Sequence, residues 1–440
     1  MNPSQRVFVL GIDGVPHSLV QRFADAGVMP NMARLMRAGW AAQIDSVLPT
    51  VSNVAWACFQ TGKNPGKFDI FGFAEVDARL QIRLPNGSHL RSETLEEIAS
   101  RAGKRVVSLG IPTSYPPRKV NGLVVSGFLA PSLEKGVYPL ERLALLKSLG
   151  YQLDIDPRRA REDLTFFKRQ LLEVFDGRRR AAEALLESEP WDLFIMHVME
   201  TDRINHFLWR QWETGDAAEA AFFEDFYRRV DAFVGWLDER LGERDTLAIV
   251  SDHGFCSVRA EVQINRWLMR EGYLRVQGDP KDMFAAISDD TVAFGLVPGR
   301  IHIFRSDAYD RGGVPPQERD KISGELADKL RSWTDPETGQ LICKRVLKRE
   351  EAFSGPYIRH APDVIVDPHD GYDFKAALTQ GEIFTHSPIT GMHTYHDASL
   401  YLRGRRLTAE RRSITDLTRS VLDILGVPVP PDMDSRGVLA

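Results

Sequence analysis

Asp13 in GIDG, Ser52 at the head of SNVAWACFQTG, Asp202 and His206 in TDRINH, Asp252 and His253 in SDHG, and His393 in GMH are the residues best suited to chemistry. They offer three carboxylates, three imidazoles and one hydroxyl. That donor set suits two neighbouring divalent ions and an activated oxygen nucleophile. Packing has no use for it, because buried charge is costly unless it is paired.

Each group also has a plainer reading. Asp202 and His206 stand four apart and converge on one ion if their segment is helical, but an N-capping Asp beside an incidental His has the same spacing. Asp252-His253 follows the apolar run LAIVS and precedes Gly254, so it falls at a strand's end, where ligands bind or where a turn begins. Ser52 opens a helix closed by Gly62, the usual place of an N-cap. The same position sets its hydroxyl at the positive end of a helix, which suits a phosphate and lowers the cost of an alkoxide. His393 has His396 as a near neighbour, and the spacing does not separate them. The remaining histidines, His197 among them, lack a partner at ligand spacing and carry no assigned role.

These groups need a frame that brings distant segments together. Val7 to Ile12 is a continuous apolar run ending at Asp13, the pattern of a buried parallel strand. Pro30 to Ala38 predicts a helix with Pro in its first turn and Gly39 at its end. Further strands are expected at Ala41 to Ser46, Arg105 to Leu109, Leu123 to Ser126, Leu193 to His197, Leu247 to Ser251 and Val364 to Asp367, with helices between several of them, such as Glu219 to Leu241. The alternation predicts an α/β fold, a doubly wound and mostly parallel sheet whose ligands bind beyond the carboxyl ends of its strands. Two stretches break the rhythm. Residues 131–190 read as a helical insertion. Residues 263–355, with a helix at INRWLMREG, a broken strand from Ala293 to Phe304 and a helix from Pro316 to Trp333, read as a cap insertion. The core is then 1–130, 191–262 and 356–440.

The chain of 440 residues exceeds the size at which single cores stop growing. A net charge of −5 gives no electrostatic footprint for nucleic acid or an anionic membrane, so an anionic substrate must be drawn by local charge. Cys58, Cys256 and Cys343 are odd in number and far apart, which argues against a disulfide framework and for a reducing compartment. The first residues have too short an apolar run for a secretory signal, and no window reaches the roughly 20 apolar residues of a spanning helix. The expected protein is soluble and cytoplasmic, with no membrane or nucleic-acid partner; its oligomeric state is not encoded in these features.

From GIDG through PNMARLMRAG, LPTVSNVAWACFQTGKNPGKFDIFGF, ETDRINHFLW, SDHGF and GMH to ITDLTRSVLDILGVPVPPDMDSRGVL, the sequence resembles the alkaline phosphatase superfamily, in its type I phosphodiesterase/nucleotide pyrophosphatase branch. In that family a Ser or Thr nucleophile stands nine positions before the Thr of a TG-x-x-P turn; counting back from Thr61 selects Ser52 over Thr50. The resemblance implies that Asp13, Ser52, Asp252 and His253 hold one metal ion and that Asp202, His206 and His393 hold the other. It implies two divalent ions, usually zinc with manganese as the alternative, and a small phosphorylated substrate. One departure is visible: relatives often carry KHGI after the TG turn, where this chain has Lys67-Phe68-Asp69-Ile70.

The expected activity is two-metal hydrolysis of phosphodiester or phosphoanhydride bonds through a covalent seryl intermediate. A phosphomonoesterase, phosphonate hydrolase or phosphomutase of the same superfamily would use the same groups. A sulfatase would need a modifiable Cys in C-x-P-S-R near Ser52, and none occurs. A metal-stabilised binding protein without turnover would be expected to lack a ligand or the nucleophile, whereas every position is filled.

Overall fold

Val7–Ile12 is buried along its whole length, at the middle of an eight-stranded sheet. A strand without polar alternation must be covered on both faces, as in parallel sheets between helical layers. Alternate residues serve opposite layers. Phe8, Leu10 and Ile12 join the apolar cluster under helices His17–Asp25, Leu164–Ser188, Glu200–Thr214 and Ala217–Arg240, while Val7 and Val9 join that under Ser52–Thr61, Leu95–Arg101 and Leu417–Leu425. The computed structural model describes residues 5–277, 284–379 and 381–440.

The strand order is Trp40–Ile44, Ala398–Leu402, Thr246–Val250, Val7–Ile12, Leu193–Val198, Val106–Leu109, Gly122–Val125 and Val137–Tyr138. The five from Thr246–Val250 to Gly122–Val125 are parallel, and Val9 lies between Ile195 and Ala248. The outer strands join antiparallel. This is the expected α/β architecture, and three strands, Val7–Ile12, Leu193–Val198 and Thr246–Val250, end side by side where the candidate residues begin.

Two expectations differ from the fold. Val364–Pro368, read as a strand of the main sheet, pairs instead with Arg300–Ile303 and Cys343–Lys348 in a separate four-stranded sheet with its own apolar cluster. Its β-branched composition specifies an extended segment but not a partner. The broken strand from Ala293 to Phe304 is a hairpin, Ala293–Leu296 against Arg300–Ile303, turned at Val297-Pro298-Gly299 with Gly299 at φ +52°. Within 131–190, Val137–Tyr138 extends the main sheet, and Leu164–Ser188 buries Phe167, Leu171, Val174 and Phe175 in the layer over it. Among the described residues no helix is long and apolar enough to cross a membrane.

Leu164–Ser188 is tied to the helix bearing Asp202 by a buried ion pair. Arg178 Nη2 and Glu200 Oε1 are 3.1 Å apart with each side chain 1% exposed, and Arg178 Nη1 donates to Tyr151 Oη at 2.9 Å. Burial opposes the charge on Arg178, but Glu200 and Tyr151 outweigh it and raise its pKa. Arg178→Ala would leave the Glu200 carboxylate buried without a counter-charge. The expected loss is about 3–5 kcal/mol of unfolding free energy, measured by urea denaturation; a loss below about 1 kcal/mol would mean that water reaches Glu200.

Candidate metal centre

Asp13 leaves the central strand directly into the cluster. Gly14 follows in the left-handed region (φ +66°), and its N–H donates to Asp252 Oδ1 at 3.1 Å, binding together the ends of two adjacent strands. The Asn205 carboxamide donates to the Gly14 carbonyl at 2.7 Å and itself accepts from Tyr227 Oη at 3.0 Å. Thr201 Oγ1 donates to the Asp13 carbonyl at 2.6 Å. The turn is therefore held from the helix that carries Asp202.

Ser52 is the first residue of helix Ser52–Thr61, and its hydroxyl caps no backbone N–H. It donates instead to Asp13 Oδ1 at 3.1 Å and lies 3.4 Å from His253 Nε2. The N-cap reading thus fails locally, and the hydroxyl stands at the positive end of the helix, beside a carboxylate. Thr50 is placed otherwise: its hydroxyl donates to the Val47 carbonyl at 3.1 Å.

Six residues drawn from separate segments meet here in two groups, with the Ser52 hydroxyl against the first. In one, ligand atoms of Asp13, Asp252 and His253 converge; in the other, those of Asp202, His206 and His393. His253 Nε2 is 3.4 Å from both Asp13 Oδ1 and Asp252 Oδ2. His393 Nε2 is 3.1 Å from Asp202 Oδ1 and 3.0 Å from His206 Nε2. His393 is brought in by the antiparallel pairing of Gly391–Thr394 with Gly254–Ser257, which sets it opposite Phe255. His396 turns away: its Nδ1 meets Asp45 Oδ1 at 2.8 Å, with Arg411 on the same carboxylate, so it neither joins the cluster nor faces a substrate there.

The imidazoles share one arrangement. His206 Nδ1–H donates to the Gly391 carbonyl at 2.8 Å, His253 to Gly254 at 3.0 Å and His393 to Thr50 at 3.1 Å. Each backbone carbonyl fixes the tautomer, so each Nε2 presents a lone pair to its group, as in histidines that bind metals while their other ring nitrogen donates to a carbonyl. Asp252 Oδ2 is buried with no hydrogen-bond partner, an oxygen left for a cation. Carboxylate and imidazole donors without thiolate fit zinc or manganese. The residues present therefore fit a pair of divalent ions.

The electrostatics agree. Burial pushes the Asp13 carboxyl up, but His197 and His253 outweigh it and hold it well below the usual carboxylate range. Burial and then the charge of Asp13 push Asp252 well above it. Burial raises Asp202, yet His206 and His393 bring it to about 2, and burial lowers His206 to about 4. Two carboxylates this close resist ionising together unless a cation lies between them. Access comes from one side: the His253 side chain is fully buried, whereas His206 and His393 are 22% and 16% exposed. Beside them opens a cavity of about 200 Å³ lined by Phe73, Val297, Phe374, Lys375 and Tyr395.

Sequence reasoning missed the residues that orient Asp13. His197 Nε2 lies 2.7 Å from Asp13 Oδ2, and Trp56 Nε1 donates to the same oxygen at 2.9 Å. Trp56 packs so closely that a Cβ on Gly11 would fall 2.3 Å from its ring. The signal was available in part: His197 sits in a strand of otherwise apolar residues, where an unpartnered imidazole would be costly.

Among solved structures the fold resembles phosphonoacetate hydrolase from Sinorhizobium meliloti in complex with phosphonoformate (16% identity, 96% of both chains covered, TM-score 0.65). It also resembles murine ectonucleotide pyrophosphatase/phosphodiesterase 5 in complex with AMP (15% identity, 98% of this chain and 97% of that one, TM-score 0.59) and the alkaline phosphatase PafA (12% identity, 100% of both chains, TM-score 0.61). No curated protein matches the sequence. The sequence model described as type I phosphodiesterase/nucleotide pyrophosphatase matches residues 7–396, from the strand before Asp13 to beyond His393, and by that match the chain belongs to this family.

Proposed function

We propose that the protein is a hydrolase of phosphodiester or phosphoanhydride bonds that works through a covalent intermediate on Ser52. The observation that carries this reading is the placement of the Ser52 hydroxyl, uncapped at a helix N-terminus, against one of two carboxylate–imidazole groups whose Nε2 atoms all face inward. Asp13, Ser52, Asp252 and His253 would hold one divalent ion, and Asp202, His206 and His393 the other. Zinc or manganese, when bound, supplies Lewis-acid charge that lowers the pKa of a serine hydroxyl and stabilises a leaving oxygen.

Asp13 orients the Ser52 hydroxyl, and His197 and Trp56 hold Asp13. Ser52 Oγ forms a bond to phosphorus as the ester or anhydride oxygen departs on the opposite side. The first turn of helix Ser52–Thr61 directs its N–H dipoles at the phosphoryl oxygens. Water then breaks the Oγ–phosphorus bond and restores the hydroxyl. The burial of Asp13, Asp252 and His253 keeps bulk water from that side.

The cavity beside His206 and His393 has largely apolar walls, with Asp367, Asp370 and Asp373 and the cation Lys375 also lining it, Lys375 lying 2.6 Å from Asp373. It suits an organic group on the phosphate, which favours a diester over inorganic pyrophosphate. With zinc or manganese added, bis-p-nitrophenyl phosphate is expected to turn over about 10-fold or more faster than p-nitrophenyl phosphate, measured as kcat/KM. The opposite ranking would make the protein a monoesterase; no turnover of either would leave a binding protein.

A further inference from the structure

A second cavity, of about 410 Å³, lies between residues 71–83 and the four-stranded sheet, and none of the seven residues of the metal centre lines it. Its walls carry Arg83, Arg300, Arg305, Arg349 and Arg359. Four of these have a buried N–H with no acceptor among the described residues: Arg83 Nε, Arg300 Nη1, Arg305 Nε and Arg349 Nε. Buried guanidinium donors normally find partners, because each one left empty forfeits its hydration.

The neighbouring acids are already engaged. Glu75 meets Arg83 at 2.5 Å, Asp307 meets Arg305 at 2.8 Å, and Asp363 meets Arg349 at 2.6 Å and Arg319 at 2.7 Å. Asp77 accepts from the N–H groups of Arg79 and Gln81. Arg300 is fully buried and, among the described residues, has no carboxylate within salt-bridge distance; its other N–H groups donate to the carbonyls of Val297 and Ala74. His302 stands among them with Nε2 buried and unpartnered, while Tyr309 Oη lies 3.3 Å from its Nδ1. Burial, then the charges of Arg300, Arg349 and Arg305, hold His302 well below its usual pKa, so the local potential is positive and the imidazole is neutral. His302 is itself one of the residues that line the cavity.

We propose that this cavity is a binding site for a small molecule bearing a phosphate or carboxylate group, held by Arg300, Arg305, Arg349 and His302 with Arg359 at its rim. Guanidinium groups that keep spare N–H donors, whether or not a carboxylate already meets them, are suited to a further oxyanion. The volume is that of a small-molecule site, larger than a lone inorganic anion requires.

The test is calorimetric titration of the metal-loaded full chain with inorganic phosphate and, separately, with succinate. Arg305→Gln is expected to weaken one binding event by about 10-fold or more while leaving kcat on bis-p-nitrophenyl phosphate within about 2-fold. Arg359→Gln, on the exposed rim, is the second variant and should weaken the same event without a folding risk. Binding of phosphate alone or of succinate alone would each support the site and assign its ligand class. The proposal is overturned if neither anion shows an event that both substitutions weaken, in variants whose circular dichroism matches the wild type; the cavity would then hold water.

Discussion

Ser52→Ala is expected to lower kcat/KM on bis-p-nitrophenyl phosphate by about ten-thousand-fold or more, the scale seen when a covalent nucleophile is deleted. The change removes one oxygen from a helix whose other residues are packed in the core, so circular dichroism and unfolding should stay near wild type. All carboxylates and imidazoles of both groups remain. Thr50→Ala should fall by less than about 10-fold, because the Thr50 hydroxyl is engaged with the Val47 carbonyl and what touches the site is its backbone carbonyl, which survives the substitution. A Ser52→Ala enzyme within about 10-fold of wild type would remove the covalent step and point to direct attack by water.

Stripping the protein with a chelator should abolish turnover and also lower its thermal midpoint. Asp13, Asp202 and Asp252 are buried, and Asp252 keeps an oxygen without a partner, so cations at the site bind the folded chain far better than the unfolded one. An ion present at 100 times its dissociation constant contributes roughly 2.7 kcal/mol, and two independent ions about twice that. Calorimetry with and without chelator, paired with elemental analysis, checks this. Two ions per chain are expected in the wild type, one in His393→Ala and two in His396→Ala, because His396 is held by Asp45 away from the cluster. Loss of an ion in the His396 variant alone, or an unchanged midpoint after chelation, would refute the arrangement.

Much of the frame was readable from pattern. Val7–Ile12, Leu193–Val198 and Thr246–Val250 are short apolar runs ended by polar residues, and such runs have few structural options. Pairing was not readable: Val364–Pro368 has the composition of a core strand and lies in the other sheet, because hydrophobicity records burial and not the identity of the neighbour. The same limit divides the site. Asp202 and His206 share a helical face, so their association is local and visible in the spacing. His393 against His396 depends on which face of the strand Gly391–Thr394 is turned to Asp202, and only the pairing with Gly254–Ser257 decides it. The support of Asp13 by His197 and Trp56 joins two strands and a helix, and no spacing along the chain encodes it.

Gly72 stands between helix Ser52–Thr61 and the second sheet. Its carbonyl accepts from the carboxamide of Asn53, the residue after Ser52, at 2.7 Å, and the place where its Cβ would be is taken by the Arg300 guanidinium, 2.3 Å from that point. The second sheet is thus keyed into the helix that begins at Ser52. Exchanging residues 263–355 for the corresponding stretch of a relative would leave an empty slot at Gly72 unless the donor also brought an arginine at this position. A laboratory graft of the second sheet should therefore carry residues 71–76 with it.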